Sequence, residues 1–373
     1  MKKTLLGTTA LVTAGLVAGP ALASDPLNVT VSGSLITGFY FVDSDGNNDD
    51  TKVPVVARDL TVNAEGTLDN GLVAGATLML ELGDDEGAAA PANDDATFQE
   101  VFAYLEGGFG RTEIGATDSA SFKMHYSSPW FVPGNGVDSP NIFNGGPQTA
   151  GGLAATPSSR TSTYALLTED DNKISYFTPR LAGFQLGVSY TPDVNGNNPV
   201  ANGFGVSAQN SGVEEVFEIA ANYAGEFGAV SVGIDGFYGT GDAPAAGGGD
   251  PEEWGVGANL GFAGFTLGGA WYQNEDIARG TQSTALSGDE TEVWTAGLAY
   301  GSGPWTVGTA YLESTGERTG VADTSVEFWQ IGGGYSLGAG VDLGLDIQLI
   351  EDDNGAGVTT DSESAGIVLA ISF

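Results

Sequence analysis

Most of the side chains that could do chemistry lie between residues 116 and 172. Asp118 and Asp138 sit inside this stretch, and Glu169, Asp170 and Asp171 sit at its exit. His125, the chain's one histidine, has Ser127 and Ser128 close by. A histidine with a serine and an acid can activate a nucleophile, but no motif links these residues. Acids facing bases across a narrow aqueous passage do something different: they sort ions by charge. The bases available for that role are few. Lys173, Arg111, Arg58 and Arg160 are the candidates to oppose Asp118 and Asp138. A second acidic run, "DSDGNNDD" (43–50), spaces Asp43, Asp45 and Asn47 like the start of an EF-hand. Its glycine is misplaced, and Pro54 stands where the closing Glu is needed. Asp43, Asp45 and Asp49 are therefore read as solvated charge, with loosely bound calcium as the alternative. No phosphate-binding loop, metal-ligand cluster or nucleic-acid patch is present.

Composition limits what these residues can serve. The formal net charge is −37, which repels nucleic acid and draws cations. Such acidity often accompanies disorder, but 41% hydrophobic and 10% aromatic content point to a folded chain. With no cysteine, neither a disulfide framework nor thiolate chemistry is available. The start of the chain reads as a secretory leader. Lys2 and Lys3 precede the apolar "TLLGTTALVTAGLVAG", and Ala21-Leu22-Ala23 forms a small-residue cleavage site. The expected organisation is a signal peptide over 1–23 and one domain over 24–373, with 116–172 as a long loop inside it.

The elements that must position the candidates are strands with one apolar face. In "VDLGLDIQLI", Val341, Leu343, Leu345, Ile347 and Leu349 alternate with Asp342, Gly344, Asp346 and Gln348. "FQLGVSY", "WGVGANLGF" and "VFEIAANY" alternate in the same way. Short glycine-rich connections (68–72, 107–111, 179–184, 225–229, 262–265, 301–305, 336–341) take turns with long acidic ones. Seven tight turns and eight long loops join sixteen strands. A soluble sandwich also alternates, but three features favour a membrane barrel: this turn–loop asymmetry, strands of roughly 9–12 residues, and aromatics near strand ends. Lipid tolerates no unpaired sheet edge, so the strand near 29–42 must pair with the one near 364–373. The expectation is an all-β, 16-stranded antiparallel transmembrane β-barrel with short periplasmic turns, long extracellular loops and an in-folded third loop.

"FGRTEIGATDSA" (109–120) leads into the longest loop, and "DDNKISYFTPRLAGFQLGVSYTP" (171–193) leads out of it. With the leader and the terminal Phe373, these segments resemble the Gram-negative general porins, especially their alphaproteobacterial, Rhodobacter-like branch. The resemblance implies a trimeric barrel passing small hydrophilic solutes, a third loop narrowing the lumen, and a terminal aromatic read by the outer-membrane assembly machinery. The family also sets several arginines on the wall opposite that loop, and this chain has no obvious counterpart to them.

Parity refines the candidates. Lys173 and Arg111 should face the lumen. Strict alternation turns Arg58 outward, although a bulge would reverse it. Asp59, Glu65, Glu81, Glu218, Asp235, Asp342 and Asp346 read as lumen acids, which implies a cation preference. Trp130, Phe131, Ile142 and Phe143 give the long loop a reason to fold inward. Small outward residues (Ala74, Ala76, Ala103) suggest that the first five strands form the seam of a homotrimer. Lipid and lipopolysaccharide are the expected surroundings, in the outer membrane. The alternatives are a substrate-specific channel of the same fold and a secreted acidic β-rich adhesin or surface-layer protein.

Overall fold

The computed structural model describes residues 27–45, 50–81, 97–139, 162–194, 213–243, 249–277, 285–318, 320 and 322–373. The leader, Asp49, Ile142, Phe143 and Arg160 lie outside these residues. The strands are β1 (Asn28–Ser44), β2 (Asp50–Lys52), β3 (Val55–Thr67), β4 (Val73–Glu81), β5 (Thr97–Gly107) and β6 (Gly110–Ala116). After the long loop come β7 (Asn172–Phe177), β8 (Phe184–Asp193), β9 (Glu214–Phe227), β10 (Val230–Asp242), β11 (Glu252–Phe262) and β12 (Phe265–Ile277). The sheet ends with β13 (Ala285–Ser302), β14 (Trp305–Arg318), β15 (Thr324–Gly338), β16 (Val341–Asp353) and β17 (Thr359–Ser372).

These strands make sixteen staves, because β2 and β3 are two pieces of one. Both pair with the same edge of β1, and the register shifts between Ile36 and Thr37. Pro54 lies at the break. It has no N–H to give the ladder, but its carbonyl accepts the Gly38 N–H at 3.1 Å and the Thr37 hydroxyl at 2.8 Å.

Closure is made by β1 and β17, which pair from Ser34↔Ser372 to Ser44↔Ser362. The terminal residue continues the ladder. The Gly33 N–H donates to the Phe373 carbonyl at 2.9 Å, and the Phe373 N–H donates to the Gly33 carbonyl at 3.0 Å. A closed ladder satisfies the backbone without water, so this sheet can sit in lipid. No helix among the described residues is long and apolar enough to cross a membrane; the strands are what cross.

The outer face is apolar between two aromatic belts. At the tight-turn end Phe184 meets Tyr223, Phe265 meets Tyr300 and Trp305 meets Tyr335, with ring centroids 4.8, 4.6 and 4.4 Å apart. At the loop end Tyr190 meets Phe217 at 4.7 Å, and Trp294, Tyr311 and Trp329 form a row at 5.0 and 4.7 Å. Rings with a polar edge suit the two lipid–water boundaries. The belts are interrupted on β3 and β4, which carry no aromatic residue.

Candidate functional site

An aqueous barrel needs no interior core, yet this one has one. Tyr40, Phe177, Phe237, Tyr272 and Phe328 of the wall are buried together with Met124, Phe131, Val132 and Val137 of the long loop. The loop therefore folds inward, and the polar groups of the wall fix it there. Its first turn, α1 (Ala120–Lys123), is capped by Ser119, whose hydroxyl accepts from the Phe122 N–H and donates to Glu218 at 2.6 Å. Ser189 accepts the Ala120 N–H at 2.8 Å, and Asp235 accepts the Tyr126 N–H at 2.7 Å. Farther along, Asn135 donates to Asp346 at 2.7 Å. The returning arm is held by Glu253, which accepts from the Leu166 N–H at 3.3 Å, and by Glu218, which accepts from Thr168 at 2.8 Å.

This docking reassigns three of the expected lumen acids. Glu218, Asp235 and Asp346 point inward as alternation requires, but they are 3%, 6% and 0% exposed. Asp346 is the most heavily used. Besides Asn135 it accepts from Tyr40 at 2.9 Å, Gln330 at 2.9 Å and Gln348 at 2.8 Å. These carboxylates hold the loop and do not face solutes. The alternation rule found the correct face but could not show that the face is covered.

Lys173 is also inward and also sequestered. It is 3% exposed, and its ammonium donates to the carbonyls of Thr117, Thr168, Glu169 and Asp171. It ties the two ends of the loop together where they leave the wall and offers no free charge to the lumen. Asp138 is 0% exposed. Its carboxylate takes the Thr163 N–H at 2.6 Å and the Thr163 hydroxyl, and burial pushes its carboxyl up. His125 belongs to the same rivet. Its Nδ1 is 3.0 Å from Asp235 Oδ2 and its Nε2 is 3.0 Å from Thr163 Oγ1, with the edges of Tyr164 and Phe237 around the ring. The Thr163 hydroxyl donates to Asp138, so it accepts from His125. The His125 side chain is 0% exposed. The row of groups has the look of a catalytic relay, but its imidazole is buried.

Arg111 behaves as parity predicts. It stacks 3.7 Å from the centre of the Tyr104 ring and bonds Glu113 at 2.6 Å and Glu106 at 3.2 Å. Lys123, which the sequence reading overlooked, completes this ladder: it binds Glu113 at 2.7 Å and lies 4.7 Å from the Phe102 ring centre. The register pairs Arg58 with Leu35, and its side chain lies outside the described residues. Asp43 pairs with Glu363 near the end of β1, and the Asp45 N–H donates to the Asp361 carbonyl at 3.1 Å. Among the described residues the carboxylates that do converge are Glu100, Asp118 and Asp170, whose oxygens lie within 4.8 Å of one another. Burial and mutual repulsion raise Asp118 to about 8 and Asp170 to about 7. Asp118 is half-buried, and its backbone N–H donates to Glu100 at 3.3 Å.

Trp130 is the other residue the sequence misplaced. Aromatics in this loop suggested burial, and Phe131 and Val132 are buried at 3% and 2%, but Trp130 between them and Pro129 is 44% exposed.

Comparison with known proteins agrees with this architecture. Among curated proteins the chain is similar to an uncharacterised protein of Rickettsia conorii, 25% identical over 169 residues, which are 39% of this chain and 37% of the relative. The matched stretch thus spans well under half the length of that relative. Among solved structures, OmpT of Vibrio cholerae in its trimer form covers 94% of this chain and 100% of its own at 13% identity and a TM-score of 0.61. The outer-membrane channel DcaP of Acinetobacter baumannii covers 96% and 100% at 14% identity and a TM-score of 0.60. A variant porin of Rh. blastica covers 93% and 100% at 17% identity and a TM-score of 0.52. At these identities the structural matches speak for the fold alone. The sequence profile of the Gram-negative porins matches residues 7–355. A closed sixteen-stave barrel with belted outer face and in-folded loop, matched by that profile over most of its length, belongs to the Gram-negative porin family of the bacterial outer membrane.

Proposed function

We propose that the protein is a passive channel for small hydrophilic solutes and ions, that it prefers cations, and that it works without catalysis. The observation that supports the preference is the wall that the described part of the loop leaves bare. Asp59 accepts from Ser34 at 2.8 Å, Glu65 from Tyr104 at 2.6 Å and Glu100 from Thr117, all on the inner face of β3 and β5. Asp118 and Asp170 join them from the root of the loop as their raised carboxyls ionise. The described bases there, Arg111 and Lys123, are both engaged by Glu113. The fixed field in the open half is therefore negative, and it concentrates cations.

A planar-bilayer reversal potential in a salt gradient tests this reading. A cation-directed potential at 0.1 M salt that shrinks towards 1 M is expected, since the screening length falls from about 10 Å to about 3 Å. An anion-directed potential at low salt would overturn it. Saturating flux for one solute would instead favour a substrate-specific channel.

The same geometry supports a reading of the assembly. We read the unit as a homotrimer with its seam at the early strands, where β3 and β4 lack aromatics and offer Ala64, Ala74 and Ala76. Crosslinking from Ala76 that reaches only lipid would move the seam. On the outward register above the loop-end belt, acids oppose acids in a row: Glu252↔Glu275, Glu275↔Glu290, Glu313↔Glu327 and Glu327↔Glu351. Like charges directly opposite repel. Divalent ions shared with lipopolysaccharide phosphates would relieve that repulsion, and we include loosely held calcium in this sense but no resident cofactor. The terminal Phe373 serves as the signal for the assembly machinery in this reading, so Phe373→Asp should abolish the heat-modifiable oligomer.

A further inference from the structure

We infer that the width of the lumen is set from behind the loop, by wall glycines that no passing solute touches. From Tyr126 to Pro133 the loop runs across the inner wall, and nearly every step meets an inward glycine on the next strand. A methyl group added at Gly268 on β12 would overlap the Asn259 side chain of the wall and sit 2.8 Å from the Ser127 carbonyl oxygen of the loop. One at Gly297 on β13 would sit 2.9 Å from Ala310 of the next strand and 3.1 Å from Pro129, and one at Gly344 on β16 would sit 2.7 Å from Pro133. Methyls at Gly257 on β11 and Gly308 on β14 would overlap the Tyr126 carbonyl and the Phe131 ring.

The spacing fits a crossing run. The seven steps from Tyr126 to Pro133, at about 3.3 Å each, cover about 23 Å, and the five strand spacings from β11 to β16, at about 4.8 Å each, come to about 24 Å. An extended segment crossing strands at a steep angle cannot join their ladder, and Pro129 and Pro133 have no N–H to leave unpaired. The run is pinned at both ends, by Asp235 at the Tyr126 N–H and by Asp346 at Asn135. It cannot slide to make room, so bulk added beneath it must bow it into the lumen. The side that would advance carries Trp130, which is 44% exposed and packs over Gly136. The glycine track is therefore a set of specificity-determining positions with no solute contact.

The inference rests on the channel reading but not on the cation preference, and conductance and reversal potential separate the two. The test is single-channel conductance and uptake of graded sugars by Gly297→Leu and Gly344→Leu. Both should assemble as heat-modifiable oligomers, conduct at half the wild-type level or less, and exclude the larger sugars first. Gly236→Leu is the control. That glycine faces outward, where an added methyl has its nearest neighbour at 3.6 Å, and conductance should stay unchanged. Gly308→Leu combined with Phe131→Ala moves bulk from loop to wall and should recover conductance lost by Gly308→Leu alone. Unchanged conductance in assembled track variants, or an equal fall in Gly236→Leu, would overturn the inference. So would track variants that fail to assemble and are not rescued in the compensating pair.

Discussion

From β8 to β16 the loop is laid over an inner wall of glycines, buried carboxylates and apolar side chains such as Phe237, Tyr272 and Phe328. From β3 to β6 the described wall presents Thr61, Asn63, Glu65, Thr77, Tyr104 and Arg111, bonded mainly to one another. The same residue type does different work on the two sides. A carboxylate on the covered wall is desolvated and accepts several donors, so its value lies in holding structure. One on the bare wall keeps water on one side, so its value lies in the field it casts. Burial, more than charge count, decides which acids a solute meets.

Breaking the covered side should have the largest effect. Asp346→Ala removes the buried acceptor that the side chains of Tyr40, Asn135, Gln330 and Gln348 share. A loss of about 3 kcal/mol or more is expected, read as a lower unfolding temperature in detergent. Asp59→Ala on the bare wall should leave that temperature within a degree or two. Next comes Lys173→Met, which leaves four loop carbonyls without their ammonium. We expect about 2–4 kcal/mol lost, together with noisier conductance as the loop root loosens.

The third prediction sharpens the comparison at the border between the walls. Asp118 and Asp170 hold their protons to about 8 and about 7, far above the 3.8 of an ordinary aspartate. The folded barrel therefore binds more protons than the unfolded chain in the window from about 4 to about 8. The stabilising effect of those protons is full at the acid end of that window and is lost as pH rises through it. Over the upper part of the window the lumen gains negative charge, so cation preference should increase from pH 6 to pH 9. Glu100, Lys123 and Lys173 face the same pair and should broaden the titration. In Asp118→Asn with Asp170→Asn the pH response should vanish, as followed by reversal potential. The smallest effect belongs to Glu65→Gln. Its stability change should stay within about 0.5 kcal/mol, and the low-salt reversal potential should move slightly towards zero.

Much of the barrel was legible in the sequence because period-2 alternation and turn length are local properties. The in-folding of the loop was legible too, since Phe131 and its neighbours have no business in an acidic external loop. What could not be read was which inward residues the loop would cover. Asp342 and Asp346 share a strand and a parity, yet Asp342 is half-buried and Asp346 is 0% exposed. That difference comes from Asn135, two hundred residues away in sequence. Lys173 was placed on the correct face, but the carbonyls around it arrive from both ends of a long loop. The glycines offered an unread clue. Gly257, Gly268, Gly297, Gly308 and Gly344 all fall on the inward parity, and a wall lined with glycine leaves a void that some other segment must fill.

The ladder between Gly33 and Phe373 also bears on how the protein is made. Every other neighbouring pair of staves is joined by one turn or loop, so each can form soon after its second strand is available. β1 and β17 meet across a long stretch of chain, and the bonds between them run on to Phe373. Until β17 reaches β1, the sheet has two open edges, each a template for pairing with another chain. A cell that makes this protein must keep those edges apart from others until the ring can shut, so custody during export is built into its topology.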